Sequence, residues 1–235
     1  MFINNFCFNI SDKLMIQGME NELYPIWILP TSTFEGTSIV QILNDAYEEK
    51  LTIDEIFLKK LMISSKIKET LNNWIIKNNS HVEKRISILK EAVTAHLEEK
   101  YYLSVSALTP QIEGLLKDAV DEAKITGVSW KLLNEQCLEN AVNALVRKWK
   151  EQKIQGTLVD ILQNNWVGLL NEDFSKVIAY LYKEYNSEDD QENKLNRHGI
   201  CHGLQTNFGI ATSSLRLILI IDRIIFFMAD DENNK

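Results

Sequence analysis

Apolar residues recur at intervals of three and four positions along most of the chain, which is the period of an amphipathic α-helix. The clearest run places Ile86, Leu89, Val93 and Leu97 on one helical face. A Ser-x-x-Glu pattern at 80–83 resembles a capping box, in which each side chain satisfies a backbone N–H, and it predicts the start of this helix.

Most of the remaining chain also has a helical pattern. A second capping-box pattern at 52–55 predicts a helix that continues to Leu61, and Thr109-Pro110 predicts another start, because the first turn tolerates proline. Residues 1–36 are the least regular part and allow a short strand or hairpin. The further predicted helices cover 37–50, 130–151, 157–170, 172–185 and an apolar C-terminal segment that ends near Met228.

These patterns predict an all-α fold. The chain has only 9 glycines and 3 prolines in 235 residues, which favours long helices over many short strands. We place a domain boundary near residue 80. Residues 1–80 are then a mostly helical region with a regulatory or partner-binding role, and residues 81–235 form a helical bundle.

Composition restricts the cellular setting. The three cysteines are odd in number and far apart, so they do not form a disulfide framework, and the first residues lack the pattern of a secretion signal. We therefore predict a cytoplasmic protein. The apolar run 215–229 is interrupted by Arg216, Asp222 and Arg223, so it predicts a buried helix and not a membrane span.

The formal net charge of −8 argues against a broad basic surface that would hold nucleic acid. Binding to a phosphate backbone would then depend on a local pocket or on basic groups supplied by a partner.

One window, 195–203, concentrates reactive side chains. It holds Arg197, His198 and His202, which are an arginine and two of the four histidines in the chain. Arginine presents a planar set of donors that fits phosphate, and histidine exchanges a proton near neutral pH. On a continuous helix Arg197 and His202 would lie about 140° apart. A helix that ends between them, as Gly199 and Gly203 permit, or a two-fold dimer would bring them to one cleft.

Two other interpretations of this window remain open. His198 and His202 are four residues apart and share a helical face, so they could bind zinc with Cys201 as a third ligand, although Cys201 would point away from that face. Alternatively, the window is purely structural, with Arg197 paired to an acidic residue of the preceding loop and the histidines in the core. The acidic candidates are Asp189 and Glu192.

The segment 196–203 resembles the signature of the HEPN superfamily, helical proteins marked by an arginine followed after four to six residues by a histidine. Segment 109–116 resembles an earlier helix of one bacterial branch of that superfamily. Segment 208–215, leading into the apolar helix with Asp222, resembles the turn after the motif in that branch. The resemblance extends over about residues 83–229 and implies a HEPN-like helical bundle with an additional N-terminal region.

The resemblance implies a ribonuclease that uses neither a metal nor another cofactor. His202 would act as general acid or base, Arg197 would hold the scissile phosphate, and His198 would orient the phosphate or share the proton transfer. Asn196 and Glu113 would support the site, the first as a hydrogen-bond donor and the second by reaching the motif from a neighbouring helix.

The expected function is therefore a metal-independent endoribonuclease, acting in phage defence or as the toxin of a toxin–antitoxin pair. RNA would be its substrate, and a second copy of the chain, an antitoxin or another defence protein would be its partner. The alternative is a catalytically inactive helical module that dimerises or binds a partner protein or nucleotide.

Overall fold

The computed structural model describes residues 49, 55, 57–76, 80–122, 124–126, 135–153, 174–186 and 195–228. Every regular element within these ranges is a helix, which confirms the predicted all-α class. In chain order they are a π-helical turn (Phe57–Leu61), α1 (Ser64–Ile76), α2 (Ser80–Glu83), α3 (Ile86–Leu97), α4 (Tyr101–Glu122), α5 (Glu135–Lys153), α6 (Phe174–Leu181), α7 (Arg197–Cys201) and α8 (Ala211–Met228).

The core is built around α8. Every side chain from Thr212 to Ile225 is buried, because α8 packs most extensively against α4 and also contacts α1, α3, α5 and the π-helical turn. A helix that is apolar on nearly all sides is stable in water only when other elements surround it. The buried helix predicted for the C-terminal apolar run is confirmed. In the part of the chain that the structure describes, no helix is long and apolar enough to cross a membrane.

The described residues before position 80 pack on the same core as the bundle. Leu61, Ile67 and Trp74 belong to one hydrophobic cluster with α3, α4 and α8. The indole Nε1 of Trp74 donates a hydrogen bond of 2.8 Å to Oδ1 of Asp222 on α8, which satisfies a carboxylate that is only 2% exposed. The domain boundary near residue 80 stays a prediction.

Helix α3 matches its predicted apolar face, with Leu89 and Val93 fully buried. The capping-box prediction at 80–83 is wrong. These residues form the separate one-turn helix α2, and Arg85 is the N-cap of α3 without a side-chain capping bond. Arg85 instead reaches across to α4, where its Nη1 lies 2.6 Å from Oδ2 of Asp118.

The predicted helix start at Thr109-Pro110 is also wrong, because Pro110 lies inside the continuous helix α4. Proline removes one helical N–H, and the carbonyl of Ser106 loses its partner. Both Ser106 and Pro110 are exposed, so that carbonyl lies on a face where water can satisfy it. Thr109 is buried and its Oγ1 donates to the carbonyl of Val105 at 2.7 Å, which keeps the turn closed on the core side.

Other predicted elements agree in part. Helix α5 falls largely within the predicted 130–151, and α6 ends at Leu181 and not near 185. The carbonyl of Lys183, just after α6, accepts a bond from the Asn196 side chain. Residues 57–61 form a π-helical turn in place of the predicted α-helix. The predictions for 1–36 and 157–170 lie outside the described residues, as does 37–50 apart from Glu49.

Candidate functional site

Asn196 starts the short helix α7. It has extended backbone angles, and its Oδ1 accepts a 2.9 Å bond from the backbone N–H of Gly199, which is the geometry of an N-cap. Its Nδ2 donates to the carbonyl of Lys183 at 2.9 Å, and its backbone N–H donates to Oε1 of Gln205 at 3.1 Å. Asn196 is only 3% exposed. Its polar groups are therefore engaged within the protein, and they position the residues that follow.

Gly203 ends α7. Its φ is +71°, in the left-handed region, and His202 is the C-cap. The N–H of Leu204 bonds to the carbonyl of Gly199 at 2.8 Å, and that of Gly203 bonds to Ile200 at 3.2 Å, which together form a Schellman motif. The sequence allowed an end between Arg197 and His202. The structure has such an end: the helix continues through Gly199, its last residue is Cys201, and His202 is its C-cap.

Gly199 is required by close packing and not by its backbone angles. A Cβ atom there would lie 2.5 Å from the ring of Tyr185 and 2.9 Å from Cβ of Gln205. Tyr185 itself donates a bond of 3.3 Å to the carbonyl of Leu204. The glycine therefore lets α7 lie directly against the segment that follows α6.

Arg197 is the first residue of α7 and pairs with a carboxylate of α4. Its Nη2 lies 2.8 Å from Oε2 of Glu113, and the two side chains are 22% and 31% exposed. Glu113 is 84 positions away in sequence and reaches the motif because α7 packs on α4. The acidic residues that sequence offered as partners, Asp189 and Glu192, lie outside the described residues. The guanidinium is thus held by charge and stays within reach of solvent.

His198 lies between Arg197 and His202. Its Nδ1 is 3.5 Å from Nη1 of Arg197, and its ring is parallel to that of His202, with centroids 6.2 Å apart and an interplanar angle of 4°. The Arg197 guanidinium therefore neighbours His198, and His198 neighbours His202, which is exposed; we call these three side chains the row.

Its surroundings lower the pKa of His198 below the usual 6.5. Burial is the main cause, and the positive charges of Arg197 and His202 add to it, while a hydrogen bond with the Tyr182 backbone and the charge of Glu113 oppose it. His198 is therefore mostly neutral at pH 7, with a ring nitrogen that can accept a proton.

Tyr182 packs against Arg197 and His198. This residue was not identified from the sequence. It is 3% exposed, its ring centroid lies 5.7 Å from Cζ of Arg197, and the His198 ring meets it edge-on at 6.3 Å and 88°. Nothing in the local sequence distinguishes it from the other tyrosines, because its neighbours come from α4 and α7.

The third ligand considered for zinc, Cys201, is exposed. Desolvation raises the pKa of its thiol, Arg197 opposes this and Glu113 adds to it, so the thiol form is favoured at neutral pH. Across the described ranges, no group of three or more His, Cys, Asp or Glu side chains is arranged to hold a metal ion.

Comparisons of the chain with models of known protein families, with curated proteins and with solved structures find no match.

Proposed function

We propose that the chain is a metal-independent endoribonuclease of HEPN type, which acts as an effector in phage defence or as the toxin of a toxin–antitoxin pair. The observation that carries the proposal is the row formed by Arg197, His198 and His202, in which one fixed positive charge lies beside the His198 imidazole and that imidazole is parallel to the one of His202. Phosphate binding and proton transfer are the two tasks that such groups perform well.

RNA needs little more than this for cleavage, because it carries its own nucleophile. The ribose 2′-oxygen attacks the adjacent phosphorus and the bond from phosphorus to the 5′-oxygen breaks. A base removes the 2′-hydroxyl proton and an acid protonates the leaving oxygen, which gives a 2′,3′-cyclic phosphate and a 5′-hydroxyl. His202 acts as base or acid at the exposed end of the row, His198 shares the proton work, and Arg197 stabilises the charge on the phosphoryl oxygens.

The Arg197–Glu113 pair fixes the guanidinium before substrate arrives. A phosphate oxygen that binds Arg197 either displaces the Glu113 carboxylate or binds the guanidinium together with it. The cost of that exchange is modest because both side chains are partly solvated. Glu113 therefore acts in this proposal as a support for Arg197, and Asn196 acts as the cap that orients α7.

A homodimer fits the same proposal. A single row with one arginine makes a small phosphate site on a chain with a net charge of −8. Two rows that face each other across a two-fold axis would double the local positive charge and form a cleft.

The proposal is tested by incubating purified protein with RNA oligonucleotides of mixed sequence in EDTA. We expect cleavage with 2′,3′-cyclic phosphate ends, and none of the same sequences when every ribose carries a 2′-O-methyl group. Cleavage that requires an added metal ion, or that proceeds on the methylated RNA, would contradict the proposed chemistry.

The alternative, a non-catalytic dimerisation or binding module, is favoured by one observation. Tyr102, Leu103 and Leu204 are large apolar side chains that are 54%, 64% and 56% exposed, and an apolar patch of this kind is typical of a surface that binds a partner. Tyr102 packs on Phe208, with ring centroids 5.2 Å apart, so part of this apolar surface adjoins the link after the motif. If Leu204→Asp disrupts a dimer in sedimentation while wild-type protein leaves all RNA intact, the alternative is correct.

A further inference from the structure

Tyr182 follows α6 and carries a buried hydroxyl group that forms no hydrogen bond with any described residue. The side chain is 3% exposed, and no hydrogen-bond partner for its hydroxyl exists among the residues that the structure describes. A buried polar atom without a partner lowers stability, so phenylalanine at this position would give a more stable protein. Such groups in folded proteins call for an explanation, and binding of a ligand is one of the usual ones.

The ring that carries this hydroxyl lies against two side chains of the candidate site. The Tyr182 ring lies under the guanidinium of Arg197 at 5.7 Å and against the edge of the His198 ring. Burial raises the pKa of the Tyr182 hydroxyl, the charge of Glu113 raises it further, and Arg197 opposes them. The phenol therefore keeps its proton at all working pH values and can only serve as a neutral donor or acceptor.

In the structure the Glu113 carboxylate lies beside Arg197, with Oε2 2.8 Å from Nη2. A phosphate that binds Arg197 carries more acceptor oxygens than a carboxylate does, and it needs more than one donor to satisfy them. The Tyr182 ring lies beside Arg197, with its centroid 5.7 Å from Cζ, and its hydroxyl has no competing bond in the described structure.

We propose that the Tyr182 hydroxyl is a second donor to the phosphate that Arg197 binds. This inference rests on the proposed nuclease function and extends it, because it assigns the buried phenol to the oxyanion that develops during cleavage. Donors of this kind act most strongly in the transition state, when the charge on the phosphoryl oxygens is greatest.

Tyr182→Phe tests the proposal because it removes only the hydroxyl. The ring contacts with Arg197 and His198 remain. We expect a melting temperature equal to or above that of wild type, since an unsatisfied buried group is lost. Cleavage under single-turnover conditions should fall about 10- to 100-fold, with a smaller change in the affinity for 2′-O-methyl RNA. Stability and activity would then change in opposite directions, which a purely structural tyrosine would not produce.

Tyr102→Phe is the matched control, because this tyrosine on α4 is 54% exposed and its hydroxyl lies outside the proposed site. It should cleave at the wild-type rate. If the wild type cleaves in an Arg197-dependent manner and Tyr182→Phe cleaves equally well, the role of Tyr182 is wrong while the nuclease proposal stands. A marked fall in the melting temperature of Tyr182→Phe would also overturn the inference, because the hydroxyl would then have a structural partner. If the wild type neither cleaves RNA nor binds 2′-O-methyl RNA, both proposals fail.

Discussion

The stability of the bundle should fall in mild acid because of one buried histidine. His96 on α3 is 2% exposed, and its Nδ1 lies 2.8 Å from Oγ of Ser214 on α8, whose hydroxyl in turn donates to Oγ of Ser104 on α4 at 2.7 Å. The ring of Tyr101 contacts the His96 ring edge-on, with ring centroids 5.6 Å apart. Burial lowers the pKa of His96 from 6.5 to about 4. The imidazole is therefore neutral in the folded protein and joins three helices through hydroxyl groups.

The difference between the pKa of His96 in the unfolded chain and in the folded protein sets the sign and the size of the change in stability. The unfolded chain binds the proton first, so the stabilising contribution is fully present above pH 6.5 and is lost as the pH falls toward 4. The two pKa values of His96, 6.5 and about 4, differ by an amount that corresponds to about 3 kcal/mol in the free energy of unfolding. About 2 kcal/mol of this stability is lost between pH 7 and pH 5.

The comparison of wild type with His96→Gln isolates this effect, because glutamine can bond to Ser214 but does not titrate. Urea unfolding followed by tryptophan fluorescence, with Trp74 buried in the core, gives the free energy of unfolding at each pH. We expect wild type to lose about 2 kcal/mol more than His96→Gln between pH 7 and pH 5. Equal losses in the two proteins would refute the assignment of a buried neutral imidazole.

Three further predictions concern the site. Gly199→Ala should destabilise the protein by about 1–3 kcal/mol in urea unfolding, since its methyl group would overlap the Tyr185 ring, and a neutral effect would contradict the packing of α7. Glu113→Gln should tighten the binding of 2′-O-methyl RNA severalfold in a fluorescence titration, because Arg197 no longer has a competing carboxylate, and weaker binding would count against the exchange of phosphate for Glu113. The acid limb of kcat/KM that depends on His198 should lie below pH 6.5, because the pKa of that imidazole is lowered, and His198→Gln should remove it; a limb above pH 6.5 would contradict this.

The sequence predicts those helices whose pattern does not depend on distant contacts. The run that ends at Leu97 and the apolar segment around Leu215 are identified correctly, since the periodicity of α3 and the density of apolar residues in α8 are visible locally. Pro110 is misassigned for a physical reason. Whether proline breaks a helix depends on whether the freed carbonyl faces water, and the exposure of Ser106 is a property of the folded state.

The candidate site also combines features that local sequence predicts with features that depend on distant contacts. The motif and its histidines can be read from consecutive residues, and Gly203 as the helix stop follows from the preference of glycine for positive φ. The pairing of Arg197 with Glu113 spans 84 positions and was anticipated only because segment 109–116 resembled a HEPN helix. Tyr182 could not be predicted, because its significance comes from neighbours on other helices and from a buried hydroxyl that bonds to no described residue.

We propose that Arg197 and His202 act together on a phosphate of RNA. The most direct measurement is the rate of RNA cleavage in EDTA by wild type, Arg197→Ala and His202→Ala. Arg147→Ala and His81→Ala serve as controls, since Arg147 is exposed on α5 and His81 lies beside Asp118 at 3.7 Å. We expect cleavage by wild type and both controls, and a loss of about 100-fold or more in the cleavage rate of each motif variant while all proteins stay folded. Cleavage by Arg197→Ala or His202→Ala at the wild-type rate would contradict it.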